Sequence, residues 1–335
     1  MLASTTRRRA VLGLLIVVAV PLVLAVTGMA VLRADYLGTP SASARSAGTD
    51  ALWMGHMWVD GRRTEKDLQE LRPRLTHMRD LFVHTGPYGP DGRLDPNLHP
   101  KSRDFLTWVR AQVPGVRVLP WLGQTVNEDD QGFLDLDDPA TRANIIAGAR
   151  EIVALGYDGV HYNFEPVPDG DASYLKLLDE TRAAIPNARI SVSSHQIEPF
   201  PGAVTGWNAV VGHGKYWSEP YFRTVAERVD QVAIMTYDSW TPLQTVYGGW
   251  VARQARKAFA LAPESTGVLI GAPAYHDHKV GVSDYAESVE MAAEGLRLVI
   301  SETPREDTGL ALYVDFAATE EDWREYESSW VRPTN

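Results

Sequence analysis

Gly156-Tyr157-Asp158-Gly159-Val160-His161-Tyr162-Asn163-Phe164-Glu165-Pro166 is the stretch on which the reading of this chain turns. Taken as a strand, it alternates with period two: His161, Asn163 and Glu165 point one way, and Val160, Tyr162 and Phe164 the other. A strand in a parallel sheet normally buries apolar residues on both faces, so three polar residues in a row on one face need water or a ligand. The expectation is the floor of an active site.

Working outward, the same phrase recurs along the chain: a short apolar run, a polar or aromatic turn, then a helical stretch. The strands are expected at Leu52 to Val59, Asp80 to His84, Val116 to Leu122, the central stretch, Arg189 to Ser194, Gln231 to Tyr237, Val268 to Ala272 and Leu310 to Phe316. Helices are expected at Glu65 to His77, Ser102 to Gln112, Pro139 to Leu155 (with Asp137 or Asp138 as N-cap), Ala172 to Ala184, Pro220 to Arg228, Val246 to Leu261, Tyr285 to Ile300 and Glu320 to Ser328. A long loop should run from Gln196 to Gly214. Strands alternating with helices imply a parallel sheet, and eight such units fit a closed (β/α)8 TIM barrel. A doubly wound open sheet is the competitor; it would normally carry a Gly-rich phosphate turn after an early strand, and none is present. In a barrel, functional residues come from the C-terminal strand ends, which here offer His84, Trp121, Glu165, His195, Tyr237-Asp238, Tyr275 and Asp315.

Composition narrows the classes. The 335 residues are 44% hydrophobic and 22% charged, enough apolar content for a sizeable core. A formal net charge of -11 speaks against a nucleic-acid partner, since neutralising phosphates needs a basic surface. With no cysteine, disulfides, thiolate metal sites and a cysteine nucleophile are excluded.

The N-terminus is set apart. Residues 1–9 form a basic stub ending in Arg7-Arg8-Arg9, and Ala10 to Leu32 is uncharged, long enough to cross a bilayer core of about 30 Å. The preceding positive charge predicts a cytoplasmic N-terminus and export of the rest, giving a membrane-anchored extracytoplasmic protein. A cleaved signal segment is the alternative, with Ser41-Ala42-Ser43-Ala44 as the site. Residues 33–50, rich in Ser, Ala and Gly, read as a flexible tether, leaving 51–335 as the barrel.

Asp158 to Glu165 resembles the fourth-strand signature of glycoside hydrolase family 18, the chitinases and related N-acetylglucosaminidases, usually written DGxDxDxE. Met235-Thr236-Tyr237-Asp238 is similar to that family's sixth-strand MTYD segment, and Gly271-Ala272-Pro273-Ala274-Tyr275 to its seventh-strand GxPxY segment. His161 and Asn163 stand where the family usually has aspartates. Asn163-Phe164-Glu165 also resembles the Asn-x-Glu pair of family 85 endo-β-N-acetylglucosaminidases.

The resemblance implies that Glu165 is the general acid and that the substrate's own 2-acetamido carbonyl is the nucleophile, an exception to the two-carboxylate scheme. It further implies that Asn163 orients the acetamido group as a hydrogen-bond acceptor. Tyr237 would donate to the acetamido oxygen, and Asp238 would bind sugar or tune the site. Each has a plainer alternative: a structural carboxylate paired with an arginine for Glu165, an ordinary strand-end tyrosine for Tyr237, a helix cap for Asp238. Asp158 reads as structural. His161 either fixes the Asn163 amide or fills the barrel. Trp58, Trp121, Trp217, Trp240 and Trp250 fall near strand or loop ends; Trp121 and Trp240 are the better candidates for stacking on a pyranose ring, the rest for packing. Tyr275, Tyr313, His161 and His195 complete the expected substrate-binding set.

No cofactor is expected. A metal centre drawn from His56, His161, His195, His276-Asp277-His278, Asp238 and Asp315 is the rival, weakened because the first strand lacks a His-x-His pair. Two functions follow from different classes. One is an exported glycosidase acting on β-linked N-acetylglucosamine glycans; the other is a non-catalytic sugar-binding barrel, for which the missing aspartates are the evidence.

Overall fold

The computed structural model describes residues 19, 22–211, 214–276 and 285–333. Eight parallel strands close on themselves: β1 (Asp50–Met54), β2 (Met78–His84), β3 (Arg117–Thr125), β4 (Gly159–Glu165), β5 (Arg189–Ser194), β6 (Gln231–Ile234), β7 (Gly267–Pro273) and β8 (Thr308–Tyr313), with β1 pairing β8. Nine helices are labelled: α1 (Glu65–Leu71), α2 (Ser102–Gln112), α3 (Pro139–Leu155), α4 (Ala172–Ala184), α5 (Ala203–Val211), α6 (Glu219–Ala226), α7 (Gln244–Leu261), α8 (Val289–Glu302) and α9 (Glu320–Glu325). The (β/α)8 barrel expected from the alternation is therefore the fold.

Local chemistry explains the boundaries. Pro139 opens α3, Asp138 caps it by accepting from the amides of Ala140 and Thr141, and Gly156 closes it at φ 114°, a left-handed conformation suited to glycine. That turn launches β4. Inside the barrel, Ala51, Trp53, Phe82, Leu119, Trp121, Ala233, Leu269 and Ala311 interdigitate. Outward-facing side chains of the same strands pack against the helices in the larger apolar layer. Burying each large side chain stabilises the fold by about 1.5–3 kcal/mol relative to exposure.

Four sequence expectations shift. β1 stops at Met54 instead of reaching Val59, because Asp315 accepts from Gly55 N at 2.8 Å and from Trp58 Nε1 at 2.6 Å, turning His56–Trp58 into a 3-10 turn. β6 stops at Ile234, three residues before Tyr237. The region read as one long loop from Gln196 to Gly214 contains α5, and Gln196–Ile197 pairs with Tyr216–Trp217. The last helix becomes α9 followed by a wider π-type turn, Tyr326–Val331.

The segment expected to be a tether lies against the barrel. Arg297 Nε donates to Ala44 O at 2.8 Å, Ser46 N donates to Trp330 O at 2.9 Å, and Asp35 meets Arg253 at 2.7 Å. Residues 22–35 are helical; Leu32 is buried, and its carbonyl approaches Gly249 so closely that a Cβ there would lie 1.7 Å away. A small-residue, polar composition signals a linker only when no groove fits it, and here Gly248-Gly249 supplies the groove. The basic stub lies outside the described residues. Of the uncharged segment only residues 19 and 22–32 fall within them, and among the described residues no helix is long and apolar enough to cross a membrane.

Candidate active site

The inward face of β4 divides by depth. At about 3.3 Å per residue, His161 lies roughly 13 Å below Glu165 along the strand. His161 is fully buried: its ring stacks on Phe82 at 3.8 Å, and Nε2 lies 3.2 Å from Trp53 Nε1. An indole N–H only donates, so Nε2 accepts, and the proton sits on Nδ1, which donates to Ser191 Oγ at 2.8 Å. Burial pushes the His161 pKa down to about 3, leaving the ring neutral. The expected substrate-binding role of His161 is thus corrected: it fills the barrel, its polarity satisfied internally by Ser191, Ser193 and Trp53.

Asn163 and Glu165 emerge at the mouth, in a cleft of about 800 Å³ whose lining also includes Trp121, His195, Tyr237, Asp238 and Trp240. Both of the first pair are half-buried. Burial, the largest influence, raises the Glu165 pKa; the hydrogen bond from Asn163 pulls the other way and the charge of Asp238 adds to the rise. The net shift is upward, which favours the protonated acid. Trp121 presents an edge of the cleft and stacks on His84 at 4.2 Å, while burial drives His84 down to about 3. Trp240 is 54% exposed at φ 65°, a flat apolar ring held out toward solvent.

Tyr237 and Asp238 reach the cleft from the segment after β6. Gly271 makes room for them: a Cβ there would lie 3.0 Å from the Tyr237 ring and 2.8 Å from Ile234 O. Tyr237 is backed by Tyr313, stacked at 5.2 Å, and by the edge of Tyr275 at 5.7 Å. Tyr275 Oη donates to Asp238 Oδ1 at 2.5 Å. Tyr275 and Tyr313, expected to bind substrate, therefore stand behind the Tyr237–Asp238 pair and shape it. The other three tryptophans are buried: Trp58 donates to Asp315, Trp217 to Val167 O and Trp250 to Thr236 O. Asp158 sits at the far end of β4, where it accepts from Val118 N and Arg110, the structural role expected of it.

The candidate metal ligands are dispersed. His56 packs on His84 at 3.7 Å, Asp315 is committed to Gly55 and Trp58, and His276 pairs with Asp322 at 3.0 Å. Asp277 and His278 lie outside the described residues. Among the described residues no three His, Asp or Glu side chains are grouped to hold an ion.

Sequence reasoning missed Gln196, Lys215 and Trp207, which line the cleft, and Glu287, which sits behind Asp238. The first three lie in or beside the stretch from Gln196 to Gly214, read as one long loop with no residue singled out. Glu287 belongs to no motif; a lone glutamate flanked by Ala286 and Ser288 gives no pattern to read.

No family model matches the chain, and no curated protein sequence does. Solved structures do. A class V chitinase from Pseudomonas fluorescens Pf-5 superposes with a TM-score of 0.57 at 14% identity, covering 84% of this chain and 98% of that one. The spore cortex-lytic enzyme SleL of Bacillus megaterium QM B1551 gives 0.59 at 14%, covering 88% and 76%. A GH18 chitinase from Cycas revoluta, in complex with (GlcNAc)3, gives 0.54 at 15%, covering 83% and 98%. Set beside the barrel topology and the Asn163–Glu165–Tyr237–Asp238 cleft, these likenesses establish that the chain has the fold of the glycoside hydrolase family 18 chitinases.

Proposed function

We propose that this protein is a glycoside hydrolase that cleaves β-linked N-acetylglucosamine glycans with retention, using the substrate's acetamido group as nucleophile. The observation that carries the reading is the convergence of Asn163 and Glu165 from β4, and of Tyr237 and Asp238 from the segment after β6, on one cleft with Trp121 and Trp240. Glu165, whose carboxyl burial shifts toward the protonated form, donates its proton to the glycosidic oxygen as that bond breaks. The acetamido carbonyl oxygen closes on the anomeric carbon, forming an oxazolinium ring. Asn163 accepts from the acetamide N–H, and Tyr237 donates to the acetamido oxygen. Water then attacks the anomeric carbon from the face left open, breaking its bond to the acetamido oxygen and restoring the acetamido group, with Glu165, now a carboxylate, taking the water's proton.

Asn163 is also the observation behind a second reading. A neutral amide gives the oxazolinium no charge stabilisation, which in a desolvated site commonly costs several kcal/mol; a sugar-binding barrel without turnover would tolerate that loss. Glu165→Gln separates the two. Hydrolysis of an N-acetylglucosamine oligomer should fall by about 10²- to 10⁴-fold with oligomer binding retained. Equal hydrolysis in the variant removes Glu165 from the mechanism, and binding without turnover in the wild type selects the sugar-binding reading.

Export and anchoring belong to the same proposal. They rest on Arg7-Arg8-Arg9 and the uncharged run after it. Protease digestion of intact cells should degrade the barrel, and a barrel protected until lysis would contradict export.

A further inference from the structure

Tyr237 and Asp238 are delivered by a segment that has left the barrel ladder, and side chains from distant loops bind its backbone instead. Gln196 Nε2 donates to Met235 O at 2.9 Å and to Tyr237 O at 2.7 Å. Lys215 Nζ donates to Asp238 O at 2.6 Å. The Glu287 carboxylate accepts from Asp238 N at 2.7 Å on one oxygen, and from Ser239 N and Ser239 Oγ at 2.8 Å on the other. The ammonium and the carboxylate therefore hold opposite ends of one peptide unit: Lys215 its carbonyl, Glu287 its N–H. That arrangement matches the direction of the peptide dipole, and both contacts are charge-assisted.

Asp238 needs such a grip, because it sits at φ 53°, in the left-handed region that side-chain-bearing residues seldom occupy. We propose that Glu287 and Lys215 form a two-sided ionic clamp that positions Asp238, and through it Tyr237, for the chemistry of the cleft. The clamp rests on the reading of that pair as part of the active site. Glu287 is 5% exposed and is absent from the cleft lining, so it acts through Asp238 and is a positioning residue. Lys215 borders the cleft beneath the rings of Trp207 at 4.8 Å, Trp240 at 5.5 Å and Tyr216 at 5.9 Å.

The clamp is pH-sensitive. Burial raises the Glu287 pKa to about 7, opposed by the hydrogen bonds from Ser239 and Asp238 and assisted by the charge of Asp238. Burial lowers Lys215 to about 8, opposed by the charges of Asp238 and Glu287. The groups facing Glu287 are Asp238, Lys215, Tyr247 and Tyr275; those facing Lys215 are Asp238, Glu287 and the three rings. Both halves are charged together between about pH 7 and about pH 8; acid releases the Glu287 half and base the Lys215 half.

Glu287→Gln tests this in two ways. With an N-acetylglucosamine oligomer at pH 8, kcat should drop at least about tenfold with KM little changed, since the lost contact acts on the reacting geometry. The acid limb of the wild-type kcat profile, with a midpoint near pH 7, should disappear. Unchanged kcat and an unchanged profile would overturn the clamp. The second readout needs no turnover: in full-length protein labelled with ring-¹³C tyrosine, the Tyr275 signal, assigned through Tyr275→Phe, reports its bond to Asp238. It should titrate near pH 7 in the wild type and stay flat in Glu287→Gln. The same titration in both proteins overturns the clamp. A titrating signal in a wild type without turnover overturns the hydrolase reading and leaves the clamp standing. Lys215→Met, expected to lower kcat similarly, decides the matter if Glu287→Gln does not fold, and full activity in that variant counts against the clamp.

Discussion

The two ends of the barrel treat carboxylates in opposite ways. At the N-terminal end Asp80 is wholly buried, yet Arg117 gives it hydrogen bonds at 2.6 and 2.8 Å and Gln231 another at 2.9 Å. Burial pushes its pKa up, but the Arg117 pair more than offsets this and the net shift is downward. At the C-terminal end Glu165 is supported by the Asn163 amide and lies near the charge of Asp238, and its net shift is upward. Among the described residues no arginine lines that cleft, and its lysine is bound to Asp238 O. A carboxylate matched to cations is held ionised; one left short of them is shifted toward its protonated form.

The largest expected effect is at the closed end. Asp80→Ala strands the Arg117 charge over a buried site and should cost about 3 kcal/mol of stability. Urea unfolding measures this, and oligosaccharide binding at the opposite end should be unchanged. A loss under about 1 kcal/mol would mean that the buried pair merely breaks even with its desolvation cost, and the contrast between the ends would collapse.

Next comes the pH dependence of stability. The folded pKa of Glu287 is raised from 4.5 to about 7. Its stabilising contribution is therefore fully present below pH 4.5 and is lost as pH rises through 7. The loss should amount to about 3 kcal/mol. Urea midpoints recorded against pH should fall across that window in the wild type, and this component should be missing from Glu287→Gln. Parallel curves for the two proteins would show that the carboxyl is not desolvated.

The smallest effect sharpens the open end. Asn163→Asp returns a negative charge beside the developing oxazolinium and adds a like charge that pushes the Glu165 carboxyl further up. A rise in kcat of about tenfold, or ~1.4 kcal/mol, is expected in steady-state assays. A fall would indicate that the amide itself is what this cleft requires.

The alternation of apolar runs and helices made the barrel legible, because strand and helix periods reflect burial that β4 and α3 both display. Asn163, Glu165, Tyr237, Asp238, Trp121, Trp240 and His195 could be placed at the mouth from strand-end position and motif resemblance. Depth could not: the period-two pattern puts His161 and Glu165 on one face without telling floor from mouth, and only the partners Ser191, Ser193 and Trp53 decide. Strand ends set by side-chain capture were equally hidden, as where Asp315 takes Gly55 N from 260 residues away. Helix α5 escaped notice because its sequence, AVTGWNAVV, is apolar while none of its residues is buried, so no polar face marks its period.

The stereochemistry of the first product tests the hydrolase account most directly. Proton NMR of wild-type protein mixed with an N-acetylglucosamine oligomer should show the β-anomer of the new reducing end first, with the α-anomer appearing later by mutarotation. An initial α-anomer, or a bound oligomer that is never cut, would contradict substrate-assisted hydrolysis at Glu165.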